Sequence, residues 1–346
     1  MTAVSLLLAS TPARAGVVGV ELAPYDAVKF GPDLAAWSAA TGQKQAVLAF
    51  YNGDPAAPGQ CRGAWPVDES KLLARVKAFR ARGGTVIVSS GGWNADDLAR
   101  HCTSPQALAE AYDSVLERFG TDHLDLDLEA GDQFDNLEPV LVDRRSAALR
   151  LLQNARRARG RRLDLTFTLA AAPTYGLDER NLYVLRSARA AYVRIGSVNA
   201  MLMDYCDGVS VDRLSERGIL ALERVRDELA KIIPGLSDAR YWRMISATAM
   251  VGQNDSRPEV FTLGDASALS QFARQRGLKR IGFWSLARDN ASCAGARNAT
   301  PTCSGVRQDP WAFTRAFAAA LTGGRAAVTT SRGPRRSLSG SVRDQG

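Results

Sequence analysis

Short apolar runs recur along the chain, and most are followed by a stretch in which apolar residues fall every three or four positions. The runs cover residues 16–22, 45–51, 85–90, 123–129, 163–169, 195–205, 243–250 and 279–286, and most are rich in Val, Ile, Leu or Phe. Such runs suit strands buried on both faces of a parallel sheet. The intervening stretches predict helices, for example over 69–81, 104–119, 144–159, 214–232 and 266–276. A last helix over 310–321 opens on Pro310. Strand and helix thus alternate eight times. The alternation predicts an α/β fold with a parallel sheet and helical crossovers, and eight units predict closure into a (β/α)8 TIM barrel, a single domain over 16–321. An open doubly wound sheet is the competing architecture, but no glycine-rich phosphate loop follows the first strand.

One run departs from the apolar rule. From Asp125 the sequence alternates strictly, with Asp125, Asp127 and Glu129 on one strand face and Leu124, Leu126 and Leu128 on the other. Three carboxylates along one face repel each other, so that face is expected to line a polar cavity with at least one group protonated. The Leu face packs under helices. In a barrel, chemistry sits at the C-terminal ends of the strands, where Glu129 falls. A carboxyl among other carboxylates has a raised pKa and can serve as a general acid near neutral pH. Asp127 is its neighbour on the same face. A proton shared between Asp125 and the adjacent Asp127 would let one of them turn toward the site. A calcium site is the alternative, but a straight strand does not wrap an ion as a calcium loop does.

Composition changes this picture little. The 346 residues are 46% hydrophobic and 23% charged, as a globular chain should be, and the net charge is +8. Much of that charge falls in 322–346, where five arginines face one aspartate. The segment is read as a disordered basic tail, so the charge is weak evidence for nucleic acid, and no nucleic-acid partner is expected. Residues 1–15 end in Ala13-Arg14-Ala15 after a short apolar run, and read as the remnant of a secretion signal. No other stretch is apolar and long enough to span a membrane. Five cysteines fit an oxidising, extracellular compartment. Cys293 and Cys303 share one small-residue loop and can clip it. Cys61 and Cys102 follow successive strands and can tie neighbouring loops. Cys206 is left over. With no CxxC and only His101 and His123, no metal and no cofactor are expected.

The segment Asp122-x-x-Asp125-x-Asp127-x-Glu129 resembles the DxxDxDxE signature of family 18 glycoside hydrolases, the chitinase family. Ser89-Ser90-Gly91-Gly92 resembles its SxGG motif at the end of the third strand. Met203-Asp204-Tyr205 resembles its sixth-strand motif, and Gly282-Phe283-Trp284-Ser285 its eighth-strand Trp motif. The segments 252–255 and 259–265 are similar to a chitinase-D-like bacterial branch. The resemblance spans about residues 17–319. His123 stands where many members have Gly, which would leave Asp122 as a loop residue. Met203 replaces the Tyr of the commoner form, leaving Tyr205 as the phenol.

The resemblance implies a secreted hydrolase of β-1,4 bonds between N-acetylglucosamine units, with chitin or chitooligosaccharide as partner and a monomeric chain. It implies substrate-assisted catalysis, outside the two-carboxylate scheme of most glycosidases. In that scheme Glu129 is acid then base, Asp127 holds the acetamido N–H, Asp125 tunes Asp127, and Tyr205 with Asp204 bonds the acetamido group. Trp284 is the floor beneath the sugar. Met203, Gln253, Tyr51 and Trp93 complete the expected substrate surface. Non-proline cis bonds are implied at Ala49-Phe50 and Trp284-Ser285. The 251–278 segment is too short for the α+β insertion of some members, so an open groove and endo-type cleavage are expected. An endo-β-N-acetylglucosaminidase acting on N-glycans and a chitin-binding lectin are the competing functions. Lectins on this barrel usually lack the Glu at the position of Glu129.

Overall fold

A computed structural model describes residues 19–209 and 213–323. The expected signal remnant (1–15) and nearly all of the expected tail (322–346) lie outside the described residues. Eight parallel strand positions close on themselves into a barrel, each followed by a helix. Strands two to eight are Gln45–Ala49, Thr85–Gly91, His123–Asp127, Asp164–Ala170, Ser197–Leu202, Ile245–Met250 and Arg280–Trp284. The first position is split. Glu21–Leu22 pairs with the eighth strand and Tyr25–Ala27 with the second, the chain stepping across at Ala23-Pro24. That split closes the ring. The strand's first half falls at the end of the expected 16–22 and its second half lies beyond it.

Helices Leu34–Thr41, Glu69–Arg80, Pro105–Arg118, Pro139–Ala158, Glu179–Ala190, Leu214–Ile232, Leu263–Arg276 and Ala312–Leu321 form the outer layer. Local chemistry fixes most of their starts. Asp33, Asp68, Ser104 and Asp178 accept backbone N–H bonds as N-caps, and Thr262 with Asp265 forms a reciprocal capping box. Three starts differ from the sequence reading by two residues or more, one being the helix expected from 266, which begins at Leu263. The fourth helix begins at Pro139, five residues before the expected 144. The last begins at Ala312, because Trp311 adopts a left-handed φ of 62° and Pro310 stays outside. The Asp289 carboxylate caps that helix by accepting from the N–H groups of Phe313 and Thr314, at 2.9 and 2.8 Å.

The main core lies between sheet and helices and includes Leu124, Leu126 and Leu128, all essentially buried. Removing a leucine side chain of this kind from water is worth about 1.5–3 kcal/mol. A smaller cluster of Ala23, Tyr25, Val47, Ala49 and Ile87 fills the upper barrel, with Phe50 and Trp284 packed on it. Lower in the barrel Arg280 pairs with Glu21 at 2.8 Å, and Lys279 with Asp164 at 2.6 Å. Both expected disulfides are formed, Cys61–Cys102 and Cys293–Cys303, and Cys206 is an exposed free thiol. Between the seventh strand and its helix lies only a small antiparallel ladder, Gly252–Gln253 with Val260–Phe261. Among the described residues no helix is long and apolar enough to cross a membrane.

Candidate active site

The fourth strand runs between the third and the fifth, with Asp125 opposite Ser89 and Thr166, and Asp127 opposite Gly91 and Thr168. Strand alternation sends Asp125 and Asp127 into the barrel and the leucines under the helices. Three hydroxyls surround Asp125. Ser89 Oγ and Thr168 Oγ1 each donate at 2.6 Å, and the Tyr25 hydroxyl at 2.9 Å. A further layer steadies them: Asn199 Nδ2 donates to the Tyr25 hydroxyl, Thr168 Oγ1 and Thr248 Oγ1 at 2.9–3.2 Å. Burial pushes the Asp125 carboxyl up, while the three hydroxyl donors and the Arg280 charge pull it back. Burial prevails, and the Asp125 pKa stands above the ordinary carboxylate value.

Asp127 has the opposite surroundings. It is buried, with one carboxyl oxygen lacking a partner. Burial raises its pKa well above the carboxylate range, and the charges of Glu129 and Asp125 raise it further. Its hydrogen bond goes to Glu129. Glu129 lies two residues beyond the last paired strand position, mostly buried at the rim. Burial raises its pKa to about 7; the bond from Asp127 opposes the rise and the Asp204 charge adds to it. Both members of the pair are thus pushed toward the protonated form. On the other side of Asp127, the Asp125 carboxylate is engaged by the hydroxyls of Ser89, Thr168 and Tyr25.

Two glycines let the third strand reach this corner. Gly91 has φ 117°, and a Cβ there would fall 1.8 Å from the Asp127 carbonyl oxygen. Gly92, at φ 97°, donates its N–H to the same oxygen at 2.9 Å. Asn52 fixes Gly91 from the second strand's side, accepting its N–H at 2.8 Å and donating to its carbonyl at 2.9 Å. The aromatic wall is built by Trp284, Phe50 and Tyr25. Trp284 stacks on Phe50 at 5.6 Å between ring centres and meets Tyr25 edge-on at 6.1 Å. Cis peptide bonds occur at Ala49-Phe50 and Trp284-Ser285. Trp93, 60% exposed, stands just past the third strand.

The other expected site residues fall in different places. Tyr51 is corrected: it is 3% exposed in the core beneath the helices, packs on Trp65 at 5.4 Å and accepts a bond from Arg118 at 3.3 Å. Its neighbour Phe50 takes the barrel side instead. Met203, Asp204 and Tyr205 follow the sixth strand, which stops at Leu202, short of the expected 205. Asp204 acts electrostatically on Glu129, whereas the buried Tyr205 hydroxyl has no partner and its ring lies under Arg217 at 4.8 Å. Gln253 sits on the small ladder, half-buried. Asp122 lies before the strand and pairs with Arg156 and Arg161. Arg288 and Asp289 do not pair with each other. Arg288 donates to the carbonyls of Val251 and Gln253, and Asp289 caps the last helix. The sequence reading missed Tyr25, Asn52, Thr168, Asn199 and Thr248. The alternation of Thr166 with Thr168, Ser197 with Asn199 and Ser246 with Thr248 was the available signal.

The arrangement can hold one proton at the barrel rim, beside an aromatic platform, and deliver it. No family model matches the chain. A probable bifunctional chitinase/lysozyme of Escherichia coli is 31% identical over 301 residues, 83% of this chain and 33% of that protein. Endochitinase 11 of Metarhizium anisopliae is 31% identical over 277 residues, 78% of this chain and 52% of that protein. The chain thus spans about a third to a half of the curated relatives it matches. The catalytic domain of a hyperthermophilic chitinase from Pyrococcus furiosus is 30% identical, with 90% of this chain and 98% of that one aligned at a TM-score of 0.77. Catalytic site mutants of the same organism's thermostable chitinase, complexed with chito-oligosaccharides, align at a TM-score of 0.78 and 29% identity over 89% of this chain and 96% of that one.

Proposed function

The chain belongs to glycoside hydrolase family 18, and from that premise we propose that it hydrolyses β-1,4 bonds between N-acetylglucosamine units of chitin or chitooligosaccharides, with retention. The buried Asp127 beside Glu129 at the end of the fourth strand, with burial pushing both carboxyls up and Glu129 to about 7, is the observation that carries the reading. Glu129 protonates the glycosidic oxygen as the bond to the leaving sugar breaks. The substrate's own acetamido carbonyl oxygen attacks the anomeric carbon. Asp127 swings from Glu129 to the acetamido N–H and balances the positive charge of the oxazolinium-like intermediate. Asp125, whose charge adds to the proton affinity of the pair, helps keep one proton on it until Glu129 delivers it, which leaves Asp127 ionised against the positive charge. Glu129, now a base, takes a proton from a water that bonds to the anomeric carbon from the side the leaving sugar left, breaking the bond to the acetamido oxygen and returning β-product. Trp284 lies beneath the reacting sugar, and Trp93 offers a further platform.

Secretion is part of the proposal. The two disulfides and the apolar N-terminal run support it. The test is a time course on chitohexaose with anomer analysis by NMR. Shorter chitooligosaccharides appearing first as the β-anomer are expected. Initial α-product would overturn acetamido assistance. An intact hexamer beside a cleaved N-glycoprotein would move the substrate to N-glycans.

A further inference from the structure

Past the sixth strand the backbone takes two left-handed steps without glycine, Asp204 at φ 50° and Cys206 at φ 56°. Each is disfavoured by about 1–2 kcal/mol and persists only where neighbours hold it. Here the neighbour is the turn of the small ladder after the seventh strand. Glu259 Oε1 accepts the Tyr205 N–H at 2.8 Å, and in return the Ser256 N–H donates to Asp204 Oδ1 at 2.7 Å. The turn is itself tied. Asn254 N–H donates to the Glu259 carbonyl at 3.0 Å, and the buried Asn254 side chain donates to the carbonyls of Met250 and Gly252 at 2.9 and 3.1 Å. Glu259 is 4% exposed, a position at which a carboxylate is costly without a task.

We infer that Glu259 is a positioning residue: by holding the Tyr205 N–H it fixes the left-handed Asp204 turn at the end of the sixth strand, and with it the place of the Asp204 carboxyl whose charge bears on Glu129. The inference rests on the hydrolytic role given to Glu129 above. The charges around this chain of contacts come from several elements. Glu129 faces Asp127 and Asp204; Asp204 faces Asp255 and Arg288; Glu259 faces Asp204 and Arg217. The Asp204 charge helps hold the Glu129 proton, so its retreat lets the Glu129 pKa fall from about 7.

The test replaces Glu259 by Ala, Asp and Gln. Glu259→Gln keeps an acceptor at the same reach and should retain wild-type turnover and pH profile. Glu259→Ala loses it, and Glu259→Asp withdraws it by one methylene. Both should lower kcat about ten- to a hundredfold with little change in KM, misplacement by about 1 Å being able to cost about a hundredfold. In both, the alkaline limb of kcat should move acidward by about half a pH unit, the sign required when a negative neighbour leaves. Carboxyl 13C titration of Glu129, assigned by its loss in Glu129→Gln, reads the same shift without turnover. An unmoved Glu129 titration in a folded Ala or Asp variant overturns the inference, whatever happens to rate. A wild-type chain that leaves chitohexaose intact overturns the hydrolytic reading, while the titration still decides the role of Glu259. Asp keeps the charge and most of the volume, and serves if Ala does not fold.

Discussion

Glu129 and Asp127 differ by one strand repeat, yet their surroundings divide the work. Glu129 sits at the rim, where burial holds its proton near pH 7, and Asp127 sits one step deeper beside two other acids. Replacing Glu129 by Gln keeps volume and hydrogen bonding but removes the proton donor. Turnover of chitohexaose should fall at least about 10²–10⁴-fold, the usual worth of a positioned acid, with oligosaccharide binding retained in calorimetry. A Gln variant cleaving at the wild-type rate would remove Glu129 from the mechanism. The second residue-scale prediction separates neighbours. Phe50→Ala takes away the ring stacked on Trp284 and should raise KM and lower kcat. Tyr51→Phe loses only the Arg118 bond, so it should leave kcat/KM unchanged and cost about 1 kcal/mol of stability by denaturant melt. The alternating acids made the Asp125, Asp127 and Glu129 row legible in the sequence. Which of Phe50 and Tyr51 faces the groove was not, because both are aromatic at a strand end where the alternation has no further residue to fix its phase.

At the scale of elements, the third strand exists in its present register because Gly91 has no side chain. Gly91→Ala puts a methyl against the Asp127 carbonyl in a backbone region that alanine avoids. The third and fourth strands must then part. The expected loss is about 3 kcal/mol or more, measured by urea melt, with activity lost in whatever fraction folds. The Cys61–Cys102 bridge is a second such tie, joining the loop after the second strand to that after the third across a separation of 41 residues. Removing it as a paired Cys→Ser change should cost about 4 kcal/mol if chain entropy dominates. Buried strands announced themselves as apolar runs, so the eight-fold alternation and the barrel were legible. Ends were less so. The sixth strand stops at Leu202 because Asp204 turns left-handed, and the last helix starts late because Asp289, 23 residues upstream of its first residue, supplies the cap. Both are tertiary facts with no local signal. Only the first half of the first strand was anticipated, for a related reason. Its catalytic-side half, Tyr25–Ala27, is short and preceded by Pro24, which no run of apolar residues marks.

Across the whole molecule the same carboxylates that do the chemistry work against the fold. The sign follows from linkage: stability falls with rising pH wherever the folded chain binds more protons than the unfolded one. Asp127 and Glu129 titrate near their ordinary values when unfolded, and well above them, or at about 7, when folded. Between about pH 4.5 and 7 the folded site therefore keeps protons that the unfolded chain releases, and each pH unit of raised pKa is worth at most about 1.4 kcal/mol. The depressed acids act elsewhere on the scale. Asp164, held down by Lys279 against its own burial, and Asp122, held down by Arg161 and Arg156, contribute stability above their unfolded values and lose it as pH falls through the lower folded ones. Stability should accordingly peak in mild acid, near pH 5, and decline toward pH 8. Asp127→Asn removes the deepest of the proton-holding groups at nearly constant volume. It should raise the melting temperature at pH 8 by several degrees, raise it little at pH 5, and flatten the slope between them, while abolishing most of the turnover. An Asn variant with the wild-type slope between pH 5 and pH 8 would mean that Asp127 is not among the groups that hold protons in the folded site.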